Sequence, residues 1–278
     1  MGPARRWVCI CIALTASGET IHYQTLPSAV IERRLAAVRS TNVDRERTLR
    51  DLFTEAGCLD VKLKEQTVKH SKVPNLICAL EGELDSFIIV GGHFDLAERG
   101  SGVVDNWSGS SLLPSLYQSL KSVPRRHNFV FIGFTDEEKG MVGSRFYVEQ
   151  LKKEELRQIS AMVNMDSLGT GTTKLELTRG DTKLANALAA VAATFKLPLS
   201  VVNVHLVGRS DSDSFQDKKV PTINLHSLTN DTFPILHTVR DQMSAIRMPE
   251  YYDSYRLITA YLAYLDEVLD ATAVGLPN

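Results

Sequence analysis

Two histidines and three carboxylates, His93, Asp105, Glu138, Asp166 and His237, stand far apart in this chain, each ending or following an apolar run of the kind that forms a strand. Imidazole nitrogens and carboxylate oxygens are the donors that zinc accepts, and such a set holds two ions when one carboxylate is shared. A further carboxylate, Glu137, directly precedes Glu138. Left out of the donor set, it is placed to handle a proton from metal-activated water. This is the outline of a hydrolase.

The surroundings of each residue sharpen the pattern. His93 closes the segment Phe87-Ile88-Ile89-Val90-Gly91-Gly92-His93, and Asp95 follows two residues later. At that spacing the Asp95 carboxylate can accept a hydrogen bond from the second ring nitrogen, fixing the tautomer and raising ligand basicity. A strand-end histidine paired for structural reasons would look the same. Asp105-Asn106-Trp107-Ser108-Gly109 joins a carboxylate to a helix start, where Asn106 or Ser108 could equally serve as a cap. The small Ser108 and Gly109 would let backbone come close to a bound ion. Glu137 and Glu138 follow the buried run Phe129-Val130-Phe131-Ile132-Gly133-Phe134 and repel each other unless a cation or protons compensate. The plainer alternative is an acidic surface turn. Asp166, in Asn164-Met165-Asp166-Ser167, and His237, in Leu236-His237-Thr238, complete the set. His22, His70, His127, His205 and His226 have no comparable setting and carry no catalytic meaning by themselves.

The elements that must position these residues alternate along the chain. Helical spacing of apolar residues runs from Pro27 to Gly57, with a break near Ser40, Thr41 and Asn42 where a cap would fall. Strands are expected at Val61 to Val68, Asn75 to Leu80 and Phe87 to Gly91. Helices from Ser108 to Lys121 and Val142 to Lys153 then alternate with strands from Phe129 to Phe134 and Ala161 to Met165. Further strands at Leu175 to Thr178, Ser200 to His205 and Pro221 to His226, a helix from Thr182 to Phe195, and a long closing helix from Pro249 to Leu269 complete the pattern. Such alternation predicts an α/β three-layer sandwich, a mixed sheet with parallel central strands and helices on both faces. Ligands in such sheets bind beyond the carboxyl ends of the strands, where the candidate residues fall.

At 278 residues, 44% of them hydrophobic, the chain can bury one large core, and residues 19–278 are expected to form a single domain. Arg5 and Arg6, an apolar stretch from Trp7 to Thr15 and the small residues Ala16, Ser17 and Gly18 predict a signal peptide over residues 1–18, hence a secreted or periplasmic protein without stable membrane insertion after cleavage. A net charge of −2 provides no footprint for nucleic acid or an anionic membrane. Cys58 and Cys78 would remain after cleavage, either as a disulfide or as two buried thiols.

Taken together, these motifs resemble the zinc aminopeptidases of the aminopeptidase Y and leucyl aminopeptidase type, within the zinc exopeptidase superfamily. The likeness rests on Gly92-His93-Phe94-Asp95, Asp105-Asn106-Trp107-Ser108-Gly109, Asp136-Glu137-Glu138 with Gly143-Ser144, Asn164-Met165-Asp166, Arg209-Ser210-Asp211 and His237-Thr238, in the family's order. It implies two Zn2+ ions, Asp105 as their bridge, His93 and Asp166 on one, and Glu138 and His237 on the other. It also implies that Glu137 is the general base for a water bridging the ions, with Asp95 behind His93. The expected reaction is hydrolysis of the N-terminal peptide bond of a peptide with a free N-terminus. Two residues depart from the family pattern, Trp107 and Ser212, and they bear on the shape and polarity of the substrate pocket. No tyrosine lies between His226 and His237 to serve as an oxyanion donor. A glutaminyl cyclase-like single-zinc acyltransferase is the rival reading, set back by Leu236 standing before His237 where a Trp is expected. A non-catalytic binding relative is the other, set back by the intact donor set.

Overall fold

The computed structural model describes residues 9–13, 20–176, 180–202 and 208–269. Most of the expected signal segment 1–18 and the end of the expected strand 200–205 lie outside the described residues. Strands β1 (Cys9–Ala13) and β2 (Thr20–Gln24) pair as an antiparallel ribbon. The remaining strands are β3 (Leu63–Gln66), β4 (Asn75–Leu80), β5 (Phe87–His93), β6 (Asn128–Phe134), β7 (Ile159–Met165), β8 (Thr173–Glu176), β9 (Leu199–Val202) and β10 (Thr222–His226). They form one eight-stranded sheet in the order β3-β4-β6-β5-β7-β10-β8-β9. The central strands β6, β5, β7 and β10 are parallel, β3 and β4 are antiparallel, and β8 runs antiparallel to β10.

Side chains alternate across a strand, so a central strand that is apolar throughout must feed two cores. On β5, Ile88 and Val90 join one apolar cluster and Ile89 the other. On β6, Phe129 and Phe131 face the first cluster while Val130, Ile132 and Phe134 face the second. Helices Ser28–Leu35, Asn42–Ala56, Leu113–Leu120, Thr182–Phe195 and Met248–Val268 supply the first cluster. Val148, on helix Val142–Gln150, and Phe215, on helix Asp211–Gln216, close the second. This is the α/β sandwich that the alternation predicts.

Local chemistry sets the helix limits. The Thr41 side chain accepts from the Asp44 N–H at 3.1 Å and starts the helix Asn42–Ala56, which Gly57 ends in the left-handed region at φ 94°. The expected helix from Ser108 to Lys121 is two pieces, Ser108–Ser110 and Leu113–Leu120, because Pro114 has no N–H and suits the first turn of a new helix. The expected helix from Val142 to Lys153 likewise stops at Gln150, and Lys153–Arg157 is separate. Helix Asp211–Gln216 is additional to the expected set. Cys58 and Cys78, both fully buried, form a disulfide that ties the loop after Asn42–Ala56 to β4. Among the described residues no helix is long and apolar enough to cross a membrane.

Candidate metal centre

Parallel pairing brings the carboxyl ends of β5, β6, β7 and β10 to one edge of the sheet. His93 is the last residue of β5, the single turn Glu137–Lys139 follows β6, Asp166 follows β7, and the chain beyond β10 leads to His237. Asp105 reaches the same place from an irregular turn, Val103–Trp107, between β5 and the helix start.

Sequence neighbours are separated and distant residues meet. His93 Nε2 lies 3.3 Å from Asp105 Oδ1, 3.8 Å from Asp166 Oδ1 and 3.9 Å from Glu137 Oε2. His237 Nε2 lies 3.0 Å from Asp105 Oδ2 and 3.1 Å from Glu138 Oε2. Asp105 thus turns one oxygen to each imidazole, and the adjacent Glu137 and Glu138 face different partners. His237 and Asp136 sit in the left-handed region, at φ 55° and 53°. For non-glycine residues that costs about 1 kcal/mol or more each, strain of a kind that collects at functional loops.

The set fits a pair of divalent ions. One donor atom from each of His93, Asp105 and Asp166 lies within 4.8 Å of the others, and the same holds for Asp105, Glu138 and His237. Donors held about 2.0–2.2 Å from a shared zinc ion must be gathered on this scale. Glu138 Oε1 is buried and has no hydrogen-bond partner among the described residues, as an oxygen waiting for a cation would be. The donors are nitrogen and oxygen only, which suits zinc.

Burial in one another's company perturbs Glu137, Glu138, His93, His237 and Asp105. Desolvation, reinforced by the charges of Asp211, Asp166 and Asp105, pushes Glu137 up to about 9 against the opposing pull of His93. Desolvation, with the charge of Asp105, pushes Glu138 up to about 7. Burial alone would discharge His93, but its contacts with Asp105, Asp166 and Asp95 outweigh it and hold the imidazolium well above the usual histidine range. The hydrogen bond to Asp105 raises the half-buried His237 to about 9. Asp105 is driven below the ordinary carboxylate range, since its bonds to His237 and His93 overcome a large burial penalty. Without metal, these groups satisfy one another by sharing protons.

A buried frame holds the donors. Asp95 Oδ1 lies 3.3 Å from His93 Nδ1, although the contact falls short of hydrogen-bond geometry. Its two oxygens accept the backbone N–H groups of Glu137 at 2.9 Å and Glu138 at 3.2 Å. Asp95 therefore fixes the acidic turn as well as standing behind His93. Asp241 accepts from the N–H groups of Val104 at 2.7 Å and Asp105 at 3.1 Å. Asn106 donates to the Met165 carbonyl at 2.8 Å and accepts from the N–H groups of Gly109 and Ser167 at 2.9 and 3.1 Å. It thereby joins the Asp105 turn to the Asp166 turn. A Cβ at Gly109 would collide with the Met165 carbonyl, so glycine is required for this close approach. Arg45 is wholly buried and donates to the carbonyls of Phe94, Ser101 and Gly102, clamping the loops on either side of the Asp105 turn.

A cavity of about 320 Å³ opens over Asp105, Glu137, Glu138, Asp166 and His237, with an apolar wall of Leu228, Phe233, Pro234 and Leu236. Neither Trp107 nor Ser212 lines it. Trp107 is fully buried, donating Nε1–H to the Arg34 carbonyl at 3.2 Å with Arg45 5.8 Å from its ring centre. Ser212 is buried against Ser210, their hydroxyls 2.8 Å apart. Trp107 thus packs in the supporting frame, while Ser212 lines a smaller cavity that shares Gly208 and Asn224 with this one. Arg45, His226 and Asp241 are not among the residues expected at the site, and Asp211 stands there only within the motif Arg209-Ser210-Asp211, with no role assigned. Asp211 is fully buried near the site, with neither carboxylate oxygen bonded among the described residues, and burial pushes it up to about 7. In sequence Ser210-Asp211 reads equally as a helix start, with Ser210 at the cap position of the short helix Asp211–Gln216.

Comparison with known proteins gives a consistent result. A model of peptidase family M28 matches residues 75–262, which contain every candidate donor. Aminopeptidase YwaD of Bacillus subtilis is 28% identical over 181 residues, a match covering 62% of this chain and 40% of that protein. The chain thus spans less than half the length of the curated relatives it matches. The LapA aminopeptidase of Legionella pneumophila superposes with a TM-score of 0.78 at 23% identity, over 88% of this chain and 73% of that one, a likeness of fold. A glutaminyl cyclase from an Acidobacteriales bacterium shares the fold with a TM-score of 0.70 at 15% identity, over 86% of this chain and 93% of that one.

Proposed function

The chain belongs to peptidase family M28, and on that premise we propose that it is a zinc-dependent aminopeptidase that removes the N-terminal residue from peptides with a free N-terminus. The observation that carries this reading is the sharing of Asp105 between two donor groups, with Glu137 outside both and facing the same cavity. His93, Asp105 and Asp166 would hold one ion, and Asp105, Glu138 and His237 the other. When bound, zinc supplies Lewis acidity, lowering the pKa of water and polarising a peptide carbonyl.

The protein's own residues do the rest. Glu137 accepts the water's proton on its carboxylate and returns it to the leaving amine, which requires a base that is not itself a ligand. Asp95 holds the turn that aims Glu137 and the imidazole of His93 through one carboxylate. The apolar wall from Leu228 to Leu236 takes up the substrate's N-terminal side chain and excludes water beside the reacting bond. Carboxylates not engaged with metal attract the substrate's ammonium group, so a free N-terminus is preferred.

Residues 19–278 would act as one catalytic domain, exported by the signal segment 1–18 to a secreted or periplasmic location, with no role for nucleic acid. The deciding experiment is hydrolysis of matched free and N-blocked peptides by zinc-reconstituted protein, with products identified by mass. Release of single N-terminal residues from the free peptides alone is the expected result. Pyroglutamate formation from N-terminal glutamine would instead identify a cyclase.

A further inference from the structure

His226, the last residue of β10, stands beside the metal centre without belonging to it. The Asp166 N–H donates to the Leu225 carbonyl at 2.9 Å and the Ser227 N–H to the Ser167 carbonyl at 2.9 Å, so His226 is laced against the Asp166 turn from both sides. His226 is among the residues lining the same cavity as the donor set, yet it is only 2% exposed.

The state of the ring follows from its contacts. The Leu228 N–H donates to Nδ1 at 3.1 Å, so Nδ1 carries a lone pair and the proton of the neutral ring resides on Nε2. Burial, and then the neighbouring Lys174 cation, push the ring down to about 4, which keeps it neutral at physiological pH. Nε2 is shielded from bulk water and has no hydrogen-bond partner among the described residues. A buried donor left in this condition is costly, and an acceptor brought into the cavity relieves that cost.

The other polar groups around the cavity make that hydrogen unusual. Asp105, Glu137, Glu138 and Asp166 offer oxygens, His237 faces Asp105 and Glu138, Ser167 donates to Asp166, and Arg209 is engaged by Asp217 at its exposed edge. The Asn224 amide, whose oxygen accepts from Asn164, is the other neutral side-chain N–H donor in the lining among the described residues. The reaction proposed above builds negative charge on the carbonyl oxygen of the cleaved bond, and a neutral N–H donor shares that charge alongside bound zinc. Resting on that aminopeptidase reading, we infer that His226 is a catalytic residue whose Nε2–H donates to the carbonyl oxygen of the scissile peptide bond. Because the oxygen's charge grows towards the transition state, the bond strengthens there and acts on turnover more than on substrate binding.

The test uses zinc-loaded protein with His226→Phe, which removes the donor, and His226→Gln, which offers an amide N–H at similar reach. Steady-state constants are measured on peptides beginning with Leu, Ala and Lys, alongside zinc content and thermal stability. His226→Phe is expected to lower kcat about 100-fold, the usual loss for one such donor, with KM little changed and the same loss for all three peptides. His226→Gln is expected to recover most of kcat, and both variants to keep their zinc. In wild-type protein carrying 15N-labelled histidine, the His226 Nε2–H resonance is expected to shift when free leucine is added as product. Unchanged kcat in His226→Phe, a loss that follows the N-terminal side chain, loss of zinc, or an unmoved resonance would each overturn the inference. Wild-type protein that cleaves none of the free peptides would refute the aminopeptidase reading itself, a separate result.

Discussion

Replacing Glu137 with Gln separates proton transfer from metal binding. The substitution preserves shape and removes only the charge and basicity of a group that lies outside both sets of donors. Loss of a general base lowers kcat about 10²- to 10⁴-fold, while two zinc ions per chain should remain. The metal-free protein provides a second, independent number. Burial raises Glu137 from 4.5 to about 9 in the fold, so between those pH values the folded state binds a proton that the unfolded chain has released. The contribution of this group to stability therefore falls as pH rises, and at pH 7 the penalty is on the order of 3 kcal/mol, from about 2.5 pH units at 1.36 kcal/mol each. Glutamine does not titrate and escapes it. Metal-free Glu137→Gln should accordingly resist urea better than metal-free wild type at pH 7, with the advantage vanishing near pH 4.5. Zinc content by mass spectrometry, kcat by amine release and paired urea titrations complete the assay. A variant that lost zinc, or a stability difference independent of pH, would refute the assignment and require Glu137 and Glu138 to exchange roles.

Other perturbations address the frame and the bridge. Asp105→Ala removes the donor shared by both groups, so zinc should fall towards zero rather than to one ion per chain, as read by metal analysis after dialysis. Asp241→Ala leaves the buried N–H groups of Val104 and Asp105 without their acceptor; zinc affinity, followed by chelator competition, should drop about 10- to 100-fold although no donor is touched. Cys58→Ala with Cys78→Ala opens a closure of 20 residues, worth about 3 kcal/mol in the chain-entropy treatment and measurable by urea denaturation at unchanged zinc content.

The parts of this molecule that repeat along the chain were legible in its sequence, and the parts made by tertiary contact were not. The strands Asn75–Leu80 and Phe87–His93 announce themselves because each buries a continuous apolar run. The helix Thr182–Phe195 does so by its period and by the Asp181 cap, whose carboxylate accepts the Lys183 and Leu184 N–H groups. His93, Glu138 and Asp166 were legible as candidates because each ends or closely follows a strand, whereas Asp105 and His237 stand on longer loops and joined the set through the order of the motifs. Arg45 and Asp241 carry no such mark: one lies within an ordinary charged helix and the other in a polar turn. Their importance arises only when the fold sets them against the loops around Asp105. The place of Trp107 was illegible for the complementary reason. Its neighbours in sequence belong to the metal centre, but the irregular turn sends its side chain into the core.

That turn also explains how so much negative charge survives inside a folded chain. Asp95, Asp105, Asp211 and Asp241 are buried, and Glu137, Glu138 and Asp166 are largely covered. Asp95 and Asp241 are matched to backbone N–H groups, Asp95 to those of the acidic turn and Asp241 to those of the Asp105 turn, whereas burial raises Asp211 to about 7. Those pairings hold whether or not a cation is present. In the absence of metal, Glu138, near 7, and His237, near 9, take up protons instead. Zinc binding must therefore displace protons from groups already gathered by the frame, and zinc affinity should rise with pH across that range. Two separate tasks follow from this division. The hydrogen-bonded frame fixes where the donors stand, while the sheet and its two apolar cores supply the stability needed to keep them crowded together.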